Sequence, residues 1–191
     1  MKIHPWIWFL LVVIVFLIQL LTLDVLPQLQ QDEVQITEYG RLALDPLSEW
    51  SVTWLISEEK PLLLWSYLGP LISELSFQVG GASGMGPRIA SLLGGMFAGT
   101  MMFFWLRTRK TPELIALGLS LAFLLDPLFE LTQRMGRVDG WVFGFCIASC
   151  WFLRRSLNKQ KKINSVLYIL GAGFCAITAS FIWPSAILLF P

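Results

Sequence analysis

The feature that most constrains this chain is an apolar run at 6–23, eighteen residues interrupted only by Gln19. A helix of that length covers the hydrocarbon core of a bilayer. Four more apolar runs follow, at 87–106, 112–125, 140–153 and 163–183. Together they predict an all-α integral membrane protein of about five transmembrane helices. Composition agrees. Charged residues make up 14% of the chain and its mean hydropathy is +0.66, against roughly 25% charge in an ordinary soluble domain. One core cannot hide that much apolar surface, so lipid is the expected solvent.

Charge position sets the expected orientation. Arg107, Arg109 and Lys110 flank one pair of spans, and Arg154 and Arg155 through Lys161 and Lys162 flank the next. Basic residues beside spans stay cytoplasmic, which puts the N-terminus inside. Lys2 precedes the first run and no small-x-small site follows it, so an uncleaved signal-anchor is favoured over a signal peptide. The segment 61–77 is apolar enough to insert, but a single crossing there would set the basic clusters against Lys2. Kept at the surface or re-entrant, it leaves nine of fourteen Lys/Arg inside and twelve of thirteen Asp/Glu outside.

The chain therefore reads as one membrane domain, 1–191. Its first span is 1–23, a long outer loop with juxtamembrane helices is 24–86, and four further spans occupy 87–191. The runs 112–125 and 140–153 give only about 21 Å of helix each against a core of about 30 Å. The missing length falls to Asp126, Glu130, Arg134, Arg137 and Asp139, which places charge at or below the outer surface. Such charge needs a polar cavity or a partner.

The outer loop opens with Gln31, Asp32 and Glu33 and continues as V-Q-I-T-E-Y-G-R-L-A-L. A short surface helix is expected, with Glu38 and Arg41 three apart and able to pair. Trp50 and Trp54 are interfacial by type, and Glu58-Glu59-Lys60-Pro61 precedes L-L-L-W. Taken singly, these acids have an ordinary explanation, since Asp and Glu favour the first turn of any helix. Their convergence on one membrane face, each beside a span, sets them apart.

Gly95-xxx-Gly99 and Gly140-xxx-Gly144 allow close helix approach. Cys146, Cys150 and Cys175 lie in apolar runs and read as small packing residues, not as a disulfide framework. Gly80-Gly81-Ala-Ser-Gly84 reads as a flexible link before the second span. The basic clusters are explained by topology, so no nucleic-acid partner is expected. His4 is the only histidine and is expected on the cytoplasmic side, which argues against a Ser/His/Asp set.

In this order and placement, four elements resemble the GT-C superfamily of membrane glycosyltransferases. The nearest branch holds the protein O-mannosyltransferases and the aminoarabinose transferases that modify lipid A. Q-D-E-V-Q-I-T-E-Y-G-R resembles the family's Asp-Glu loop and juxtamembrane helix, and S-E-E-K-P-L-L-L-W its Glu-Lys-Pro-Pro element. M-G-P-R-I-A-S-L-L-G-G resembles its arginine-led second helix, and R-M-G-R-V-D-G-W-V-F-G-F its outer-face Arg/Asp element.

The resemblance implies transfer of a sugar from a polyprenyl-phosphate donor to a lipid or protein acceptor on the non-cytoplasmic face. It implies Asp32 as general base, Glu33 as the residue that orients it or shares the acceptor site, and Asp139 completing the site. A carboxylate suits this work because it is ionised at neutral pH and needs only hydrogen-bond reach. Lys60 would bind the donor phosphate. Arg134 and Arg137, three apart and on one face if helical, would hold it by forked contacts. Glu58 or Glu59 is the candidate ligand should a divalent metal take part, although no local pattern completes a ligand set.

The sequence departs from the family in three ways. It reads Lys-Pro-Leu, it has no histidine on the outer face, and it offers about half the usual number of spans. The expectation is the front half of a longer GT-C-like module in a bacterial inner membrane. The outer loops contain no Asn-x-Ser/Thr sequon, in keeping with that setting. A non-catalytic membrane subunit that serves assembly of a larger complex is the alternative. A transporter component is the weakest reading, because no span carries a mid-membrane ion pair.

Overall fold

The computed structural model describes residues 5–23, 31–45, 66–81, 84–157 and 162–189. Those residues are helical throughout, with no strand among them. The helices are α1 (Pro5–Leu20), α2 (Gln31–Leu44), α3 (Leu68–Gly80), α4 (Met85–Thr108), α5 (Glu113–Leu124), α6 (Pro127–Arg134), α7 (Asp139–Leu157) and α8 (Lys162–Ile182). A 3-10 turn, Pro184–Leu189, follows α8. Two helices are long and apolar enough to cross a membrane, α4 and α8 over Ile163–Ile182. There are three if α5 and α6 count as one span bent by 56°.

The spine of the fold is α4 against α7, with α8 packed on the other side of α7. Glycine permits the contact. A Cβ on Gly140 would stand 2.5 Å from the Gly95 backbone nitrogen, and one on Gly94 would stand 2.9 Å from the Trp141 nitrogen. The two backbones therefore touch, as the small-xxx-small spacing leads one to expect. The second glycine of each motif serves a different neighbour. Gly99 receives Leu124 of α5, and Gly144 receives the ring of Phe97. Gly140→Val is expected to force α4 and α7 apart and to destabilise by about 1–3 kcal/mol, the usual cost of overpacking. Thermal unfolding in detergent would show it as a lowered midpoint.

On the other flank, α1 runs antiparallel to α4. Trp8 stacks on Phe103 at 5.0 Å and donates its indole N–H to Thr100 at 3.4 Å. Met96, Ala116, Leu124 and Phe129 close the same cluster. Across one end of the bundle, α2 and α3 lie antiparallel, with Thr37 bonded to Ser73 at 3.1 Å and Gly40 set against the Pro70 carbonyl. Ile36 drives α2 into a second cluster with Val138, Val142 and Ile182. That docking fixes where the acids of α2 point. Cys146 and Cys175 are buried and, with Cys150, are free thiols, as packing residues would be.

The structure corrects two local expectations. The run 112–125 does not stop short. It breaks at Leu125 and Asp126, and α6 continues at an angle of 56°. The Asp126 carboxylate caps that second helix by accepting from the Leu128 and Phe129 amides at 3.1 and 3.0 Å, and Pro127 supplies its first turn. Arg41 pairs with Glu74 of α3 at 3.3 Å, not with Glu38. Glu74 is 2% exposed, so this more deeply buried carboxylate takes the guanidinium in preference to the half-buried Glu38. Helices α3 and α4 turn back on each other, with Gly86 set against the Ser76 carbonyl.

Candidate functional site

Asp32 and Glu33 are consecutive in the first turn of α2, so their side chains leave the helix about 100° apart. Glu33 turns inward and is 3% exposed. Its two oxygens accept from Arg88 Nε and Nη2, each at 3.0 Å, in a forked pair. Arg88 Nη1 donates to the Leu23 carbonyl at 3.0 Å. One guanidinium thus fastens α2 to α4 and satisfies a carbonyl at the end of α1. Gly136, at φ +66°, lies beneath the Glu33 carboxylate, where an added Cβ would come within 3.2 Å of Oε2.

Arg134 ends α6 and reaches across to the turn after α1. It donates to the Thr22 carbonyl at 2.6 Å and to Thr22 Oγ1 at 2.9 Å, with Glu130 at 3.9 Å. Arg137 lies beyond α6, in the turn before α7. The expected shared helix face of Arg134 and Arg137 does not exist, because the helix ends between them and Gly136 redirects the chain. They serve separate partners.

Arg137 draws the site together. Its Nη1 donates to Asp32 Oδ2 at 2.5 Å and its Nε to Asp139 Oδ2 at 2.6 Å. The guanidinium lies over Trp183 at 5.3 Å, and its backbone carbonyl accepts from Ser91 Oγ at 2.5 Å. Asp32 and Asp139 are thereby joined through one cation, although Asp32 and Arg137 are 105 positions apart. The Asp32 side chain is the open member, 44% exposed against 17% for Asp139. Asp139 begins α7, where the helix dipole favours an anion. It also forms part of the wall of an open groove of ≈ 280 Å³, otherwise lined by Val142, Phe143, Trp183, Ala186 and Leu188 with Ser185. An apolar groove thus adjoins a charged cluster.

Further along α2, burial raises the Glu38 carboxyl, a push that Arg41 opposes. Burial and the neighbouring Glu38 raise the Tyr39 phenol. Lys60, Glu58 and Glu59 lie outside the described residues. Among the described residues no three His, Cys, Asp or Glu side chains are grouped to hold a metal. Asp32 and Asp139 both turn to the Arg137 guanidinium, an arrangement built for a cation already present.

Sequence reasoning overlooked Thr22, Ser91 and Trp183, and it noted Arg88 only as part of a motif. Arg88 gave a usable signal, since an arginine inside an apolar run calls for a polar partner. Trp183 read as the end of a span and gave none. Arg137→Gln is expected to cost less than about 1 kcal/mol, because its carboxylate partners are partly exposed. The unfolding midpoint should move by no more than a few degrees.

Compared with protein-family models, curated proteins and solved structures, the chain matches none of them.

Proposed function

We propose that this chain is a membrane glycosyltransferase module of the GT-C type. It moves a sugar from a polyprenyl-phosphate donor to an acceptor on the non-cytoplasmic face of a bacterial inner membrane. The observation that supports this reading best is the junction of Asp32 and Asp139 through Arg137, beside an apolar groove. In the proposed topology α1, α4, the bent α5–α6 pair, α7 and α8 are the five spans. The acids of α2 and α7 then share the outer end, and Arg107, Arg109, Arg154 and Arg155 the cytoplasmic end, as the positive-inside rule requires.

In the proposed reaction an acceptor hydroxyl attacks the anomeric carbon of the donor. Asp32, the most exposed acid of the cluster, takes the hydroxyl proton as the new C–O bond forms. The bond from the anomeric carbon to the phosphate oxygen breaks, and polyprenyl phosphate leaves with the electron pair. Arg137 is placed to receive that phosphate by its forked N–H groups, joined by Lys60 on the family resemblance. Asp139 holds Arg137 in register. Glu33, clasped by Arg88, fixes the first turn of α2 and so aims Asp32. The apolar groove suits the first isoprenoid units of the donor.

The test is release of polyprenyl phosphate from a sugar-loaded donor by membranes containing the complete protein, with a membrane extract as acceptor source. Donor consumption by the wild type that disappears in Asp32→Asn supports the reading, and equal consumption by both rejects it.

A second reading is a non-catalytic membrane subunit with a GT-C-like fold. One observation favours it: Glu33, Arg88, Arg134 and Arg137 all have partners within the chain, so their presence needs no substrate. Asp32→Ala, Lys60→Ala and Asp139→Ala that leave the function of a host complex intact would select this reading.

A further inference from the structure

The end of the bundle away from the candidate site carries a second arrangement of charge. Helices α4 and α7 run in the same direction, in contact through Gly95 and Gly140 and through Phe97 and Phe145, whose rings are 5.1 Å apart. Ten residues beyond Phe97 stands Arg107, and ten beyond Phe145 stands Arg155. Equal rise, about 15 Å on each helix, brings the two basic ends to one level.

Within that end the cations differ. Arg107 is bound to Glu113 and donates to the Thr111 carbonyl at 3.1 Å, closing the turn into α5. Arg109, Lys110, Arg154 and Arg155 are exposed, and among the described residues no carboxylate pairs with them. Two of the four are held in the same way. The Arg109 guanidinium lies over Trp105 at 5.6 Å, and that of Arg155 over Trp151 at 5.4 Å. Each arginine is four residues after its tryptophan, so the motif Trp-x-x-x-Arg occurs once on each of two helices packed side by side. The Tyr168 ring of α8 meets Trp151 edge-on at 6.3 Å, and Ser165 donates to the Ser156 carbonyl at 3.3 Å, which ties α8 into the same end. Lys159, Lys161 and Lys162 follow in the sequence.

We propose that this end of α4 and α7 binds the anionic headgroups of membrane phospholipid. The indoles supply the level. Tryptophan settles at the boundary between hydrocarbon and headgroup, and a guanidinium folded over its face is held where lipid phosphates lie. The cations also stand beside exposed Leu114, Ile115, Leu153 and Leu157. A ligand that meets both surfaces needs a phosphate and an acyl chain on one molecule, which a nucleic acid or a soluble phosphate lacks. This inference does not depend on the glycosyltransferase reading.

The experiment reconstitutes the full chain in phosphatidylcholine bilayers and titrates in brominated phosphatidylglycerol or brominated phosphatidylcholine, with tryptophan quenching as readout. The wild type should prefer the anionic lipid. Either Arg109→Gln or Arg155→Gln should lower that preference by about fivefold, the contribution of one cation near an anionic surface. The charge-conserving pair Arg109→Lys and Arg155→Lys should retain most of it, and circular dichroism would report whether each variant keeps its helices. Equal quenching by the two lipids in the wild type overturns the proposal. So does a preference that persists in the glutamine variants. Displacement of the brominated anionic lipid by soluble glycerol phosphate at equal concentration would assign the site to a free phosphate and also overturn it.

Discussion

Asp32→Asn is expected to lower sugar transfer by about 10²- to 10⁴-fold, the range that a positioned general base supplies. The change is nearly isosteric. It keeps an oxygen that can accept from Arg137 Nη1, now 2.5 Å from Asp32 Oδ2, and removes the negative charge and with it the capacity to take a proton at neutral pH. Because the side chain is 44% exposed and its ion pair lies near water, the fold should hardly register the loss. Expression level and unfolding midpoint should match the wild type while donor turnover vanishes. The contrast between intact stability and lost turnover is the informative result. Turnover within a few-fold of the wild type would remove Asp32 from the reaction and leave the subunit reading in place.

The second large effect concerns stability and falls on the neighbouring acid. Arg88→Leu is expected to destabilise the protein by about 3–5 kcal/mol, because it strands the Glu33 carboxylate without its counter-charge. Glu33 is 3% exposed and Arg88 6%, so water cannot take over the lost contacts. The same substitution also removes the donor that satisfies the Leu23 carbonyl. Against a typical total stability of about 5–15 kcal/mol, much of the protein should be lost from detergent extracts, with a sharply lower unfolding midpoint. The double variant Glu33→Leu with Arg88→Leu should be less damaged than Arg88→Leu alone, since no charge is then left buried by itself. A double variant worse than both singles would show that α2 depends on the pair for alignment and not for charge balance alone. Consecutive residues of one turn thus divide their tasks, Glu33 by burial and Asp32 by exposure.

Much of the fold was legible in the chain itself. Each of the five apolar runs corresponds to a helix or, at 112–125, to the first half of a bent pair, because continuous apolar sequence has few other ways to satisfy its backbone in lipid. The grouping of most acids near one end of the helices was equally plain, as was that of Arg107, Arg109, Lys110, Arg154 and Arg155 near the other. The glycine spacings allowed a close helix approach, and Gly95 and Gly140 make one between α4 and α7. These are local properties, fixed by composition and by the helical period.

Partner choice was not legible. Nothing in the spacing of Arg134 and Arg137 reveals that one reaches Thr22 in the turn after α1 while the other joins Asp32 to Asp139. Arg41 had an acid within one helical turn and took Glu74 from another helix instead. The break at Asp126 turned an apparently short span into two helices at 56°. In each case the outcome depends on where the helices cross and which carboxylate loses its water there, a cost that only the packed arrangement sets. By itself the sequence determined an all-helical chain with apolar helices and most of its acids toward one end of them. The tertiary structure alone decided which acid is buried and which stands open, because burial is a property of the neighbours a residue meets and not of the residue.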